Sequence, residues 1–313
     1  MNKTNKNELN LMKYKIFYLI FSAVVLLPGI IFLLFFGLKL SIDFTGGSLI
    51  KYEFQSETSK SDIERVLTQH GVEVESIVFS GLKTNDSGTS VTIRTKVVDT
   101  SKNDEIKATF QSEFPGSNQQ SFETVGPSIG VETAKNAFIA LALALIGIFI
   151  YIAIVFRNVP KPYSSTKFGL SALIAMFHDA VLVIGIFSIL GYFFGTEVDA
   201  LFITAVLTII GFSVHDTIVV FDRIRENLKK MPQSWGFEKI VNFSIVETLN
   251  RSLATSLTVI ITLSSLYVLG GESIKDFVLA MLIGIISGTY SSIFTASPIL
   301  VLWEERSKRR KLK

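Results

Sequence analysis

The chain has 313 residues, of which 49% are apolar or aromatic and only 18% are charged, against about 25% in an average soluble domain. A mean hydropathy of +0.46, 26 Phe and no Cys exclude a disordered chain, a disulfide framework, a Cys-ligated metal and a thiol nucleophile. The net charge of +3 would point to nucleic acid only if the basic residues shared one face, and their distribution gives them another role.

Residues 1–15 form a polar tail with four Lys, and the 23 uncharged residues Ile16 to Leu38 follow. A helix rising about 1.5 Å per residue needs roughly 20 residues to cross a bilayer core of about 30 Å, so this run spans it. It is too long for the apolar region of a cleavable signal and is read as a retained first span (16–38), with a kink expected at Pro28-Gly29.

Residues 39–128 are polar and read as one external domain. Ser41-Ile-Asp-Phe-Thr-Gly-Gly47 opens it, where two glycines permit unusual backbone angles and Asp43 can cap the turn. Strands are predicted over Ser48–Gln55, Val72–Ser80, Ser90–Val97 and Gln119–Val125, and helices over Ser59–His70 and Asp104–Phe114, with the turn Asn85 to Gly88 in the central hairpin. The order βαββαβ predicts an α+β domain of the ferredoxin-like class. His70 precedes Gly71 at a helix end, where a basic residue suits the helix dipole. No catalytic constellation stands out, so a binding or moving module is expected there.

Five further apolar runs follow, Asn136–Phe156, Phe168–Thr196, Ala200–Phe221, Ser252–Gly271 and Phe277–Trp303, giving a five-helix bundle within 129–303 and six transmembrane helices in all. Within the polar stretch near 223–251, Phe237–Leu249 reads as an amphipathic helix lying on the membrane surface. Lys and Arg concentrate in Met1–Lys15, Arg157–Lys167, Asp222–Arg251 and Glu304–Lys313, which places both termini in the cytoplasm by the positive-inside rule. The basic tail 304–313 then anchors topology at anionic lipid, and nucleic acid drops out as a partner.

Ionisable residues inside the spans carry the functional signal. Asp179 lies near the midplane of the third span and Asp216 about 9 Å inside the fourth, each preceded by a histidine, His178 and His215. An ionised Asp at a span centre costs about 2.5–3.5 kcal/mol on insertion scales. Two readings fit: polar contacts that pack helices, or a proton path, since His and a desolvated Asp both change protonation near neutral pH. Neighbouring helical residues diverge by about 100°, so each His and its Asp need not bond each other and are expected to project toward different neighbours. Arg251 opens the fifth span and either reaches up to the headgroups or pairs with Asp216. Gly284 and Gly288 form a GxxxG that permits close helix approach. Residue chemistry gives no metal site, no cofactor and no enzyme active site.

Several stretches resemble one family. Ser41-Ile-Asp-Phe-Thr-Gly-Gly47, Phe177-His-Asp179, the run Thr208 to Asn227 and Thr248-Leu-Asn-Arg251-Ser-Leu-Ala-Thr255 are similar to motifs of the SecD/SecF protein-export membrane proteins, within the resistance-nodulation-division (RND) superfamily. The resemblance covers about residues 16–303. It implies a SecF-type subunit paired with a SecD half in a SecDF accessory complex, using the proton-motive force to promote preprotein translocation through the SecYEG channel, with YajC and YidC as further partners. It implies that Asp216 and Arg251 are membrane charges tied to proton flow. By residue chemistry, His215, Asp179 and His178 join that path, coupled to movement of the external domain, and Asp43, Phe44, Thr45, Gly46 and Gly47 are assigned to joining span and domain, simple turn formation being the other reading of that motif. Many members carry Asn where this chain has His215. The alternative is an RND-type proton-coupled exporter of small molecules or lipids, which would need larger external domains than one of about 80 residues.

Overall fold

The computed structural model describes residues 9–55, 58–80, 89–232 and 234–311. In chain order the elements are α1 (Lys15–Phe36), α2 (Ile42–Thr45), β1 (Gly47–Phe54), α3 (Lys60–Gln69), β2 (Val74–Ser80), β3 (Thr89–Thr95), α4 (Thr100–Glu113), β4 (Asn118–Val125), α5 (Pro127–Val155), α6 (Ser165–Phe194), α7 (Ala200–Lys230), α8 (Phe237–Leu269), α9 (Lys275–Ser291) and α10 (Ser297–Lys311). The chain divides into two compact units, one of Met1–Leu38, Ala140–Thr196 and Leu201–Lys313, the other of Lys39–Ile139 and Glu197–Ala200.

The second unit is built on a four-stranded sheet ordered β2-β3-β1-β4, with every neighbouring pair antiparallel. This is two interleaved βαβ units: β3 lies between β1 and β2, and β1 lies between β3 and β4. Alternation along β1 turns Ile50, Tyr52 and Phe54 inward, where they meet Ile63, Val66 and Leu67 of α3 and Ile106 and Phe110 of α4. Side-chain caps set the helix starts. The Ser59 hydroxyl accepts from the Asp62 amide, and the Asp99 carboxylate accepts from the Lys102 amide, so α4 begins at Thr100 rather than at Asp104. His70 ends α3, and its Nε2 lies 2.9 Å from the Thr109 hydroxyl of α4. The turn expected at Asn85 to Gly88 lies outside the described residues.

Among the described residues, six helical stretches are long and apolar enough to cross a membrane, the last combining α9, a five-residue π-helical turn (Ser292–Ala296) and α10. Apart from the first, each predicted run falls on a longer helix, because polarity marks where a helix leaves lipid while the backbone hydrogen-bond ladder continues past that point. Thus α5 starts at Pro127, a residue suited to a first helical turn, well before Asn136. Pro28 lies within α1, which runs uninterrupted from Lys15 to Phe36. Its neighbour Gly29 serves a close crossing: a Cβ there would sit 2.9 Å from the Gly185 Cα of α6.

The separate surface helix expected over Phe237–Leu249 is instead the first half of α8, one helix of 33 residues. Its buried side, including Ile240, Val241, Ser244 and Ile245, packs within the unit. Asn227 of α7 donates to both the Ser244 hydroxyl and the Glu247 carboxylate at 3.0 Å, and Arg223 Nε donates to Glu247 at 2.6 Å. These bonds hold the amphipathic stripe against α7.

Candidate functional site

Asp179 is fully buried on α6, and four donors from three helices converge on it. Its Oδ2 accepts from the hydroxyls of Ser213 (α7) and Ser291 (α9), both at 2.5 Å, and its Oδ1 accepts from Ser287 (α9) at 2.6 Å. His178 Nδ1 lies 3.0 Å from the same Oδ1, so the two neighbours do meet, contrary to the divergence expected along a helix. The buried Nε2 of the same ring has no partner among the described residues. Hydrogen bonds to a charged group contribute about 1.5–3 kcal/mol each, so three hydroxyls suffice to offset the insertion cost of this carboxylate without a cation.

The small residues of α9 seat it at this level. A Cβ on Gly284 would come within 2.3 Å of Ile209 Cδ1, and one on Gly288 would lie 3.4 Å from Ser213 and 3.6 Å from Asp179 Oδ2. The glycine spacing therefore brings the serines of α9 into reach of α6 and α7.

Asp216 on α7 is 7% exposed and is held by two hydroxyls, Ser252 of α8 on Oδ1 and Ser292 of the π-helical turn on Oδ2, each at 2.6 Å. The expected partner, Arg251, is exposed and forms no ion pair among the described residues. A helix turns about 100° per residue, so presenting Ser252 to Asp216 directs Arg251 outward. His215 is also exposed and is not drawn into the Asp216 contacts. The structure thus gathers Asp179, His178 and Asp216 inside the unit and leaves Arg251 and His215 on its surface.

Sequence reasoning missed Ser213, Ser252, Ser287, Ser291 and Ser292. The available signal was the demand itself: a buried carboxylate needs donors, and Ser287 and Ser291 recur at a four-residue spacing on one face. Among the described residues, no group of three His, Asp or Glu is placed to hold a metal ion.

The Asp43–Gly47 turn lies in the sheet-bearing unit. Ser41 caps α2 by accepting from the Asp43 amide at 3.2 Å, and the chain then passes Gly46 (φ +75°) and Gly47 (φ +115°), where L side chains are strained. Space is lacking as well: a Cβ on Gly46 would sit 2.9 Å from Pro127 Cα, and one on Gly47 2.8 Å from the Thr95 carbonyl oxygen. Asp43 does not cap its own turn. Its Oδ2 accepts from the amide of Ala200, the first residue of α7, at 3.0 Å. Phe44 is buried beside it.

Arg94 of β3, another residue that sequence reasoning passed over, gathers this region. Its guanidinium donates to the Leu40 carbonyl (2.8 Å), the Thr45 hydroxyl (2.5 Å) and the Glu197 carboxylate (3.0 Å), with Nε 3.1 Å from Glu75. One side chain so ties the sheet to both short segments 39–45 and 197–200.

Comparison with known proteins places these features in a family. The family described as protein export membrane protein SecD/SecF, C-terminal, matches residues 105–306, and the SecD/SecF GG motif matches residues 31–58, which include the Asp43–Gly47 turn. A protein translocase subunit SecF from Thermobaculum terrenum is 45% identical over 305 residues, covering 95% of each chain. A SecDF from Bacillus subtilis is 36% identical over 296 residues, covering 94% of this chain and 38% of that longer one. The crystal structure of SecDF, a translocon-associated membrane protein, from Thermus thermophilus superposes with a TM-score of 0.80 at 31% identity, over 97% of this chain and 40% of that one. The chain, a multi-pass membrane protein by its six helices, belongs to the SecD/SecF family of protein-export membrane proteins.

Proposed function

We propose that the chain is a SecF-type subunit that works with a SecD-type chain to drive preproteins through a SecYEG channel, with protons moving through the helical unit as the energy source. It performs no covalent chemistry on its substrate. The observation that carries this reading is the state of Asp216: a buried carboxylate held by two neutral hydroxyls, with a cation, Arg251, on the next helix but unpaired with it. A carboxylate so held takes up a proton without breaking an ion pair, and a later pairing with Arg251 supplies the second state that coupling requires. Asp179, His178 and His215 extend the same path, and the Asp43–Gly47 turn, whose Asp43 receives the first amide of α7, joins it to the sheet-bearing unit.

A membrane partner is supported by what the helices leave bare. His215 on α7 and Arg251 on α8 are exposed within apolar helices, and such groups are costly against lipid. A second membrane chain covering them removes that cost, and this chain matches only 40% of the Thermus SecDF chain. The strand order β2-β3-β1-β4 supports a ferredoxin-like class for the sheet-bearing unit, which lies outside the membrane in this reading. Lys and Arg at both ends and in the 157–167 and 222–251 segments support cytoplasmic termini, with the tail against anionic lipid. YajC and YidC complete the proposed assembly.

The test is export into inverted vesicles carrying the two-chain complex. Asp216→Asn and Arg251→Met are each expected to abolish stimulation by a proton gradient while the protein remains inserted. Normal, gradient-dependent export in both variants would sink the relay.

A further inference from the structure

The two buried carboxylates share one piece of backbone. Ser291 Oγ donates to Asp179 Oδ2 at 2.5 Å, and the next residue, Ser292, donates to Asp216 Oδ2 at 2.6 Å. Their divergence of about 100° lets a single turn reach α6 with one hydroxyl and α7 with the other. Each hydroxyl also has a second acceptor in its own helix, the Gly288 carbonyl 3.3 Å from Ser291 and the Thr289 carbonyl 3.2 Å from Ser292. A hydroxyl has one proton to donate, so each serine chooses between a carboxylate and its backbone. The choice is made where α9 gives way to the π-helical turn Ser292–Ala296, a geometry concentrated at functional positions, and Ser297 Oγ donates to the Ser292 carbonyl at 3.2 Å across it.

We propose that Ser291 and Ser292 are positioning residues that couple Asp179 to Asp216, so that a proton taken up by one favours protonation of the other. The inference rests on the proton-coupled reading of Asp216. When Asp216 gains a proton, its carboxyl becomes a donor. Ser292 Oγ accepts that bond and turns its own proton to the Thr289 carbonyl, and the only covalent change is the new O–H on Asp216. The α9 turn, no longer drawn toward a charge on α7, relaxes at its junction with the π-helical segment. Ser291 then shifts toward the Gly288 carbonyl, and Asp179 loses one of the donors that favour its charged form.

The sign separates this device from simple repulsion. Like charges repel, so neutralising Asp216 would by Coulomb's law make Asp179 easier to ionise. The serine link makes it harder. Other titratable or charged groups do not supply that sign. His178 touches Asp179 itself, His215 and Arg251 face outward, Tyr290 of α9 donates to the Tyr18 carbonyl on α1, and Glu247 and Glu304 are engaged by Arg223 and Lys167.

The measurement is an infrared pH titration of the full chain in its two-chain complex in lipid nanodiscs, with the Asp179 carboxyl band assigned by its loss in Asp179→Asn. Asp216→Asn is expected to raise the Asp179 midpoint by about one pH unit, a tenfold gain in proton affinity. The rise should vanish when Ser292→Ala is added, and it should return with Ser292→Thr, which restores a hydroxyl and guards against a merely misfolded alanine variant. A midpoint that stays or falls in Asp216→Asn, or a rise that survives Ser292→Ala, overturns the coupling. Proton-dependent export by Asp216→Asn would instead overturn the relay reading, which the titration does not measure.

Discussion

Replacing Arg94 by methionine keeps the aliphatic stem of the side chain and removes every donor it supplies. Arg94 is only 8% exposed, and its four polar contacts differ in weight. The Glu75 side chain is 43% exposed, so that contact contributes at most about 0.5 kcal/mol. The Thr45 hydroxyl keeps the Ser41 and Gly46 carbonyls as acceptors and loses little. Two losses dominate. The Leu40 carbonyl is left without this donor, at about 1–2 kcal/mol. Glu197 loses its closer cation and keeps Lys39 at 3.3 Å, for about another 1–2 kcal/mol. The sum, about 3 kcal/mol, corresponds to roughly a 100-fold increase in local opening. Amide hydrogen exchange on the full chain in detergent reads it directly in peptides covering 39–46 and 197–200, with helix α4 as internal reference. Glu197→Gln on its own and in combination completes a double-mutant cycle, with a coupling of about 1 kcal/mol or more expected. Exchange in Arg94→Met within threefold of the parent would refute the reasoning, as would single losses that simply add.

Two further substitutions test packing in each unit. Burial pushes the Tyr52 phenol above its ordinary pKa, and its hydroxyl has no partner among the described residues, so Tyr52→Phe is expected to stabilise the chain by about 1 kcal/mol in denaturant unfolding. A raised folded pKa means that Tyr52-dependent stability is intact below the unfolded value of about 10 and is lost as pH rises through the folded one, so the Phe variant's advantage should widen between pH ~8 and ~11; a constant or reversed gap contradicts this. Gly185→Val places a Cβ 2.7 Å from Gly29 Cα and must push α1 and α6 apart by about 1 Å, which also strains the 2.6 Å bond from Ser188 to the Gly37 carbonyl. A loss of about 2–4 kcal/mol is expected in thermal unfolding, against no change for Gly147→Val, whose added Cβ meets nothing within 4 Å; equal melting of the two variants removes the close crossing.

The six long helices were legible because lipid imposes a length and a composition that no other constraint imitates. The strands of the sheet-bearing unit were legible through alternation, as along Ile50, Tyr52 and Phe54, and their limits came within two residues or so. What stayed hidden depended on rotation and partnership. Serine and threonine in membrane helices commonly bond their own backbone, as Thr208, Thr255 and Thr262 do here, so nothing in a single sequence singles out Ser252 or Ser292. Opposite charges on successive helices suggested an Asp216–Arg251 pair, yet one residue of helical rotation hands the contact to Ser252. Arg94 sits in an alternating strand where arginine ordinarily faces water, and only the return of segment 197–200 to the sheet explains its burial. The run Phe237–Leu249 carries the right amphipathic pattern for a membrane surface, but the pattern does not say which surface its apolar side meets.

The unbroken course of α8 has a mechanical consequence. A helix of 33 residues is about 50 Å long, well beyond the bilayer core of about 30 Å. Ser252, which touches Asp216, lies close to its midpoint, while Glu247, gripped by Arg223 and Asn227, lies little more than one turn away. With Glu247 as the pivot, Ser252 lies about 7.5 Å along a stiff lever and the Leu269 end about 33 Å. A shift of about 1 Å at the bond to Asp216 therefore becomes a displacement of roughly 4 Å, the size of a side chain, at that tip.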